Sequence, residues 1–335
     1  MDLATNYLGL RLKSPLVVGA SGLAVKVETV RQLEAAGAGM VVMHSLFEEQ
    51  FAVEQANRHW SMEHGSGPEA ITTDGSAAGG LPDWDEFRMS PDEYYELIAT
   101  LKKNVRIPVV GSINGVTVGN WVVFAQRMEQ AGADAIELNI YDPTMDPTVT
   151  GLLVEQRALE IVKLVRRAIR VPLAVKLSPY YSSFAHLAVQ LDQIGADGLV
   201  LFNRFLQPDI NVQREDVFRT LRYSTSDELL LRLRWTAALF GRIKASIAVT
   251  GGVHNGEDVI KSLLAGASVV QMASCLLEKG ATHLLSIQQQ IEAWRRGKKI
   301  ESLSEIRGKM SILKSGHAAT YERVNYVSIL AKDDD

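Results

Sequence analysis

The chain of 335 residues has only one cysteine, Cys275, so it forms no internal disulfide and holds no cysteine-ligated iron–sulfur cluster by itself. It has no apolar run of about 18 residues, the length that a membrane-spanning helix needs. Its first residues lack a signal-peptide pattern. Its net charge is −4 and its basic residues are scattered, so no positive stripe suits nucleic acid. We therefore expect a soluble, cytoplasmic protein that binds neither nucleic acid nor a membrane.

A repeated pattern is present instead. At Gly37, Gly132, Gly195 and Gly266, a glycine ends an amphipathic run and directly precedes an apolar strand. Glycine is the usual residue at a helix end, and strands that alternate with helices predict an α/β fold with a parallel sheet. A (β/α)8 TIM barrel of about 250 residues, with insertions, uses nearly all of the chain. We therefore predict a single domain over residues 1–335.

The individual elements can be placed along the sequence. A hairpin is predicted at 7–12, and strands are predicted at 16–20, 40–46, 108–113, 135–140, 173–178, 198–203, 246–250 and 268–272. Helices are predicted at 27–36, 91–103, 118–131, 155–168, 183–194, 226–241, 256–265 and 281–296. Residues 47–90 form a long insertion after the second barrel strand, which predicts a lid or a binding loop.

The segment 247–274 has the pattern of strand, Gly-Gly turn, helix and strand. Gly251 and Gly252 lack Cβ, so their backbone N–H groups can approach an anion, and the second strand brings Ala273 and Ser274 beside them. The loops after the last two strands of a TM barrel often bind phosphate. The segment therefore predicts a phosphate site, although the glycines could serve only a tight turn.

Five strands end in a polar residue that is expected to reach the catalytic rim of the barrel. These residues are His44, Ser112, Asn139, Lys176 and Asn203. Lysine is rarely buried without a partner, so Lys176 either faces a ligand or pairs with an interior acid such as Glu137. The two asparagines could instead satisfy loop backbone groups, and His44 could be a core residue.

These segments resemble the dihydroorotate dehydrogenase family of FMN-dependent barrels, from the hairpin to about residue 312. The likeness lies in residues 2–16, 19–22, 137–143, 175–179, 195–203, 251–252 and 306–309. The resemblance implies that FMN contacts Ala20, Ser21, Ser45, Asn139, Lys176, Asn203, Gly251, Gly252, Ala273 and Ser274. It also implies that Lys176 lies at the flavin N1/O2 edge, where a cation stabilises the reduced ring.

The sequence departs from that family on the substrate side. Asp142 stands where the family has a cysteine or serine base, and Thr144 replaces an asparagine two residues later. His44 replaces a lysine, and Ala77 stands in place of a further asparagine. We predict that Asp142 is the general base and acts with Lys176. The alternative is that Asp142 caps the loop before a proline.

A substrate site is predicted from the same departures. His44, Thr144 and Arg204 are assigned to it, and Arg204 could bind a carboxylate or point to solvent. The resemblance implies hydride transfer from a small carboxylate or cyclic amide to flavin N5, the chemistry of the family in pyrimidine biosynthesis. The departures predict that dihydroorotate itself is a poor substrate.

Other expectations complete this hypothesis. The electron acceptor is expected to be a small molecule or a separate iron–sulfur protein, the protein is expected to be a homodimer, and no metal site is predicted. Two alternatives stay open. One is a Schiff-base lyase that uses Lys176, and the other is a flavin-binding subunit that has lost its chemistry.

Overall fold

The computed structural model describes residues 3–50, 89–115, 120–205, 207–218, 221–316 and 318–331. The strands are β1 (Thr5–Tyr7), β2 (Leu10–Leu12), β3 (Leu16–Val18), β4 (Met40–Phe47), β5 (Val109–Gly115), β6 (Ala135–Ile140), β7 (Leu173–Leu177), β8 (Gly198–Leu201), β9 (Asp209–Asn211), β10 (Asp216–Phe218), β11 (Ser246–Thr250) and β12 (Val269–Met272). Eight of them, β3 to β8, β11 and β12, form a closed barrel whose paired strands are parallel. All eight predicted barrel strands are confirmed.

Helices connect successive barrel strands, as parallel pairing requires. The helices of the described residues are α1 (Val27–Ala35), α2 (Pro91–Asn104), α3 (Asn120–Gln130), α4 (Gly151–Ala168), α5 (Phe184–Ile194), α6 (Leu229–Leu239), α7 (Gly256–Ala265), α8 (Ser274–Lys279), α9 (His283–Lys298), α10 (Ala318–Tyr321) and α11 (Arg323–Leu330). Helices α1 to α7 make these connections, and α8 to α11 follow the last barrel strand. The alternation of strands and helices around a closed barrel confirms the predicted (β/α)8 TIM barrel.

The four glycines of the sequence repeat lie where helices end. Gly37, Gly132, Gly195 and Gly266 have φ values of +97°, +97°, +102° and +130°. Only glycine adopts this region of backbone space without strain, so the residue type follows from the helix ending there. The pattern that predicted the barrel is therefore a backbone requirement at the end of each helix.

The core has two layers because successive strand residues point to opposite faces. On β7, Leu173, Val175 and Leu177 pack outward with the helices, whereas Ala174 belongs to the cluster inside the barrel. The same alternation directs Lys176 inward. Polar residues at these inward positions reach the barrel axis near the carboxyl ends of the strands.

The predicted amino-terminal hairpin is present as β1 and β2, which pair antiparallel. Tyr7, Leu8 and Leu12 are buried in the inner cluster together with inward residues of the barrel strands. A Cβ on Gly198 would lie 2.4 Å from Leu8 Cδ2, so this glycine makes room for the hairpin. The hairpin thus fills one end of the barrel and leaves the other end for the site.

Several details differ from the sequence prediction. Helix α4 begins at Gly151 rather than at 155, because the Thr150 side chain caps it by accepting a hydrogen bond from Leu153 N at 3.3 Å. The short helix α8, the β9–β10 hairpin and the helices α10 and α11 were not predicted. Of the insertion at 47–90, residues 51–88, and Ala77 with them, lie outside the described residues. The lid and the single domain over 1–335 stay predictions.

Candidate active site at the mouth of the barrel

A cavity of about 480 Å³ opens at the carboxyl ends of the barrel strands. This volume falls within the range of about 300–1,000 Å³ that is typical of small-molecule and cofactor sites. All ten residues predicted to contact FMN line it: Ala20, Ser21, Ser45, Asn139, Lys176, Asn203, Gly251, Gly252, Ala273 and Ser274. His44 and Arg204, predicted for the substrate, line it as well, whereas Asp142 and Thr144 do not.

The Gly-Gly turn follows β11 and has the geometry of an anion cradle. Gly251 and Gly252 have φ values of +81° and +83°, and both face the cavity. A Cβ on Gly252 would lie 2.6 Å from Leu229 N, so a side chain cannot be added there without moving backbone. Successive backbone N–H groups in a turn can form a concave arrangement that suits a phosphate. The two glycines therefore fit the phosphate of a bound nucleotide, and the turn needs glycine in either case.

Arg232 supports this turn from below and was not singled out from the sequence. Its side chain is buried and donates to Thr250 O at 2.9 Å and to Glu228 O at 2.6 Å. Burial lowers the pKa of Arg232, and the nearby Glu228 carboxylate opposes that shift. An arginine inside the apolar helix α6 is the signal that could have indicated this role, since a buried guanidinium needs several acceptors.

A row of polar side chains crosses one wall of the cavity. Asn203 Nδ2 donates to Asn139 Oδ1, and Asn139 Nδ2 donates to Ser45 Oγ at 3.4 Å. Ser45 Oγ and Ser112 Oγ are 2.9 Å apart. Within the described ranges the two asparagine side chains thus bond to other side chains of this row. The row holds amide and hydroxyl groups in set directions at the cavity wall.

Lys176 both faces the cavity and pairs with an interior acid, the two arrangements that its sequence position allowed. It is 8% exposed and lines the cavity, and its Nζ lies 4.0 Å from Glu137 Oε1. Glu137 is 1% exposed, and its Oε2 accepts a hydrogen bond from Gln271 Nε2 at 2.7 Å. The ammonium group therefore has a carboxylate partner inside the barrel and faces the cavity on its other side.

His44 and Arg204 form the part of the wall that the sequence assigned to the substrate. The His44 ring contacts Tyr94 edge-on, with centroids 5.1 Å apart. Arg204 pairs with Glu228 at 3.3 Å and also donates to the backbone O of Arg222. The guanidinium is thus anchored at the cavity edge, where it can meet an anionic ligand.

Asp142 and Thr144 lie away from this cavity. Thr144 Oγ1 donates to Asp142 Oδ1 at 2.6 Å, and Arg157 Nη1 lies 3.7 Å from Asp142 Oδ2. Both residues line a second cavity of about 640 Å³, beside Tyr141, which stacks on Phe205. The structure therefore brings the predicted base together with its loop neighbours and not with Lys176.

Further residues of the cavity were missed by sequence reasoning. They include Phe47, Gln50, Phe202, Leu221, Tyr223, Ser224, Val253, Gln271 and Leu277. Ser224 N donates to Ser274 Oγ at 3.2 Å, and Ser224 Oγ lies 2.9 Å from His254 Nε2. The segment around Ser224 therefore lies against the predicted phosphate site. It has no helical or strand periodicity, so the sequence offered no signal for it.

Two kinds of feature are not found in the part of the chain that the structure describes. No group of three or more histidine, cysteine, aspartate or glutamate side chains there could hold a metal ion. None of the helices in those ranges combines the length and the apolar composition needed to cross a membrane.

Comparison with known proteins places the chain in a family. Residues 2–294 match the family model described as dihydroorotate dehydrogenase. A dihydroorotate dehydrogenase B (NAD(+)) catalytic subunit of Endomicrobium trichonymphae is 26% identical over 311 residues, which cover 92% of this chain and 96% of that protein. A putative dihydroorotate dehydrogenase A (fumarate) of Aeropyrum pernix is 27% identical over 314 residues, with coverages of 92% and 97%.

A dihydroorotate dehydrogenase B (NAD(+)) catalytic subunit of Thermoplasma acidophilum is 26% identical over 318 residues, covering 92% of this chain and 98% of that protein. The family match extends over most of the chain and includes the strands and turns that form the cavity. It confirms the resemblance found in the sequence: the chain belongs to the dihydroorotate dehydrogenase family, whose members are FMN-dependent oxidoreductases.

Proposed function

We propose that this protein binds FMN noncovalently at the mouth of the barrel and uses it to dehydrogenate a small anionic substrate. The observation that carries the proposal is the meeting of ten residues, assigned from sequence alone, in one cavity of cofactor size. When bound, FMN accepts a hydride at N5, which is the chemistry that the side chains of the barrel do not supply.

The residues of the chain bind and orient the cofactor. Backbone N–H groups of Gly251 and Gly252 bind the phosphate, and the row from Asn203 to Ser45 holds polar edges of the ring. Lys176 places a positive charge at the cavity wall, where it offsets negative charge that collects on the reduced ring. FMN is therefore expected to be more stable in its reduced state here than it would be without Lys176.

The substrate is proposed to be a small carboxylate or cyclic amide other than dihydroorotate. His44 and Arg204 line the cavity, and a guanidinium binds carboxylates bidentately. Asp142 is our proposal for the proton acceptor. It requires residues 141–144 to turn towards the cavity and the Asp142–Arg157 ion pair to open when substrate binds.

The electron acceptor is proposed to be a separate molecule. The relatives described above differ in the acceptor that their names give, NAD(+) or fumarate, at similar identity to this chain. The one cysteine, Cys275, is buried, and burial raises the pKa of its thiol to about 11, so it is a poor cluster ligand. A small-molecule acceptor or a separate iron–sulfur protein therefore completes the reaction.

We also propose that the protein is a cytoplasmic homodimer. The β9–β10 hairpin exposes Ile210, Val212, Val217 and Phe218, an apolar group that a second copy would cover. The cytoplasmic location is supported by the single thiol of the chain, because few cysteines suit a reducing compartment. Light scattering at several protein concentrations tests the oligomeric state, and a monomer at all of them contradicts this part.

The absorption spectrum and flavin titration of the purified protein test the cofactor proposal. We expect one FMN per chain, and we expect the apoprotein to bind FMN at least about 100-fold more tightly than riboflavin, because riboflavin lacks the phosphate that the glycine turn binds. A protein without flavin that takes up no added FMN contradicts the proposal. Borohydride trapping of a carbonyl substrate on Lys176 would instead support the lyase.

Anaerobic mixing with dihydroorotate tests the substrate proposal. Each lost hydrogen bond to a buried polar ligand costs about 1–3 kcal/mol, so the replacements at His44, Asp142 and Thr144 should make reduction by dihydroorotate slow or absent. Complete bleaching of the flavin within seconds at micromolar dihydroorotate would overturn this expectation. A panel of small carboxylates and cyclic amides, mixed in the same way, then identifies the reductant.

A further inference from the structure

Glu137 is a buried acid for which the proposed function has no role. It lies on β6, between the inward-facing residues Ala135 and Asn139, and it is 1% exposed. Buried carboxylates are costly unless they are paired, so the protein keeps this one against a desolvation penalty. Glu137 lies next to Lys176, which lines the cavity, so its negative charge can act on that site.

The contacts of Glu137 are few and specific. Its Oε1 lies 4.0 Å from Lys176 Nζ, and its Oε2 accepts from Gln271 Nε2 at 2.7 Å. Glu137 Oε1 has no hydrogen-bond partner among the described residues. Lys176 is thus the cation that pairs with this carboxylate in the described barrel interior, and Gln271 fixes the carboxylate from the other side.

The distance to Lys176 separates two effects. At 4.0 Å the two groups attract each other as charges, but the contact is too long for a direct hydrogen bond. The N–H donors of Lys176 therefore stay available to a ligand in the cavity that Lys176 lines. The carboxylate can restrain the ammonium group and offset part of its positive potential in the cavity without occupying its donors.

We infer that Glu137 is a positioning residue that aims Lys176 at the flavin and limits how strongly Lys176 favours reduced FMN. This inference rests on the proposed binding of FMN. With Glu137 behind it, the electrostatic potential that Lys176 produces at the ring is partly offset by the negative carboxylate. Without the carboxylate, the negative reduced ring becomes the main counter-charge of Lys176, so reduced FMN gains affinity relative to oxidised FMN.

The test compares reduction potentials of bound FMN in Glu137→Gln and in the wild type. Glu137→Gln keeps the shape and an acceptor for Gln271, and removes the charge. We expect the potential to become more positive, equivalent to about a tenfold gain in the ratio of reduced to oxidised FMN affinity, the change that one pKa unit of charge interaction represents. Direct titration of the apoprotein with oxidised FMN, and with reduced FMN under anaerobic conditions, measures the same ratio independently of turnover.

A double-mutant cycle shows whether Glu137 acts through Lys176. Lys176→Met should shift the potential in the negative direction, and in that background Glu137→Gln should produce less than half of its shift in the wild type. Glu137→Asp, which keeps the charge, should stay close to the wild type. Thr236→Val is the matched control, because it removes a buried hydroxyl of helix α6 that has no hydrogen-bond partner among the described residues and changes no charge; it should leave the potential unchanged.

The possible results separate this inference from the function beneath it. If the wild-type protein takes up no FMN, the proposed function and this inference are both wrong. If the wild type binds FMN, the role of Glu137 alone is wrong when Glu137→Gln leaves the potential unchanged, or when it keeps half or more of its shift in the Lys176→Met background. If Glu137→Gln does not fold, the apolar pair Glu137→Leu/Lys176→Met carries the test. Its potential should then equal that of Lys176→Met, and a clearly more positive value overturns the inference.

Discussion

The wall of the first cavity and the loop at residues 141–150 were both assigned to the active site from the sequence, and they differ in the structure. On the wall, the ten residues predicted for the cofactor meet around one cavity. On the loop, Asp142 and Thr144 bond to each other and face a second cavity. Residues at strand ends converge because the barrel closes, whereas loop residues lie wherever their own contacts hold them.

The two regions also differ in how firmly their side chains are held. Asn139, Lys176 and Asn203 are each 8% exposed. Asn203 donates a hydrogen bond to Asn139, and Lys176 forms an ion pair with buried Glu137. In the loop, Met145 is 90% exposed and the bonds of Asp146 run to nearby Thr148. Few buried contacts mean a low cost of local rearrangement, so the loop is the part of the site that can change on substrate binding.

The largest expected effect concerns the loop. It would show that the loop takes part in the reaction although it lies away from the first cavity. Asp142→Asn should slow reduction of the flavin by substrate about 10²–10⁴-fold with FMN still bound, because the proposed proton acceptor is lost. Single-turnover mixing measures the rate. Asp146→Asn is the control, as it alters a carboxylate of the same loop. Equal rates in Asp142→Asn and the wild type would assign Asp142 to capping of the loop.

The second prediction concerns the cavity wall. Gly252→Ala should weaken FMN binding about 100-fold and lower the thermal midpoint, since a Cβ would lie 2.6 Å from Leu229 N and a left-handed residue other than glycine costs about 1–3 kcal/mol. Titration of apoprotein and thermal unfolding measure the two effects. Gly280→Ala has a similar φ of +77° with nothing within 4 Å of the added Cβ, so it should lose some stability and no FMN affinity. Equal losses of affinity in the two variants would contradict the cradle.

The third prediction tests Arg204, which lies at the edge of the first cavity. Arg204→Gln should raise KM for the anionic substrate about tenfold and leave FMN binding unchanged, because a charge-assisted contact to carboxylate is lost. Steady-state kinetics with the identified substrate measures it. Arg222→Gln is the control, because Arg222 pairs with Asp209 and does not line the cavity. An unchanged KM in Arg204→Gln would mean that Arg204 serves only its ion pair with Glu228.

The smallest expected effect lies beside the glycine turn. Burial lowers the pKa of His254 below its usual value of about 6.5, so the unfolded chain binds more protons there than the folded protein does. Stability should therefore fall as the pH drops below about 6.5, and His254→Gln should lose less. Thermal midpoints at pH 7.5 and 5.5 for both proteins test this. An equal drop in the two proteins would assign the pH dependence to other groups.

Much of the fold was accessible from the sequence for a local reason. The glycines at 37, 132, 195 and 266 mark helix ends because only glycine fits the left-handed backbone there. Alternation along each strand decided which residues face inward, and closure of the barrel made the strand ends meet. The ten residues proposed to contact FMN could be placed around one cavity for the same reason, since they lie on strand ends and on turns.

Other features have no local signal. The helix α8 and the β9–β10 hairpin are short, and Ser224 reaches the cavity from a segment without periodicity. The role of Arg232 under the turn depends on acceptors from Glu228 and Thr250, which only the folded chain brings together. Such contacts join residues that are far apart in the sequence or lie in irregular segments, so the sequence pattern alone cannot identify them.

The sequence by itself determined the barrel, the family and the strand-end and turn residues that line the first cavity. Strand alternation, helix-ending glycines and the Gly-Gly turn follow from backbone requirements that only certain residue types meet. The tertiary structure alone decided how the charges are arranged. It paired Lys176 with Glu137 at 4.0 Å while leaving Lys176 at the cavity, and it turned Asp142 towards Thr144 and Arg157. The energy of a charge depends on distance and burial, and these quantities exist only once the chain has folded.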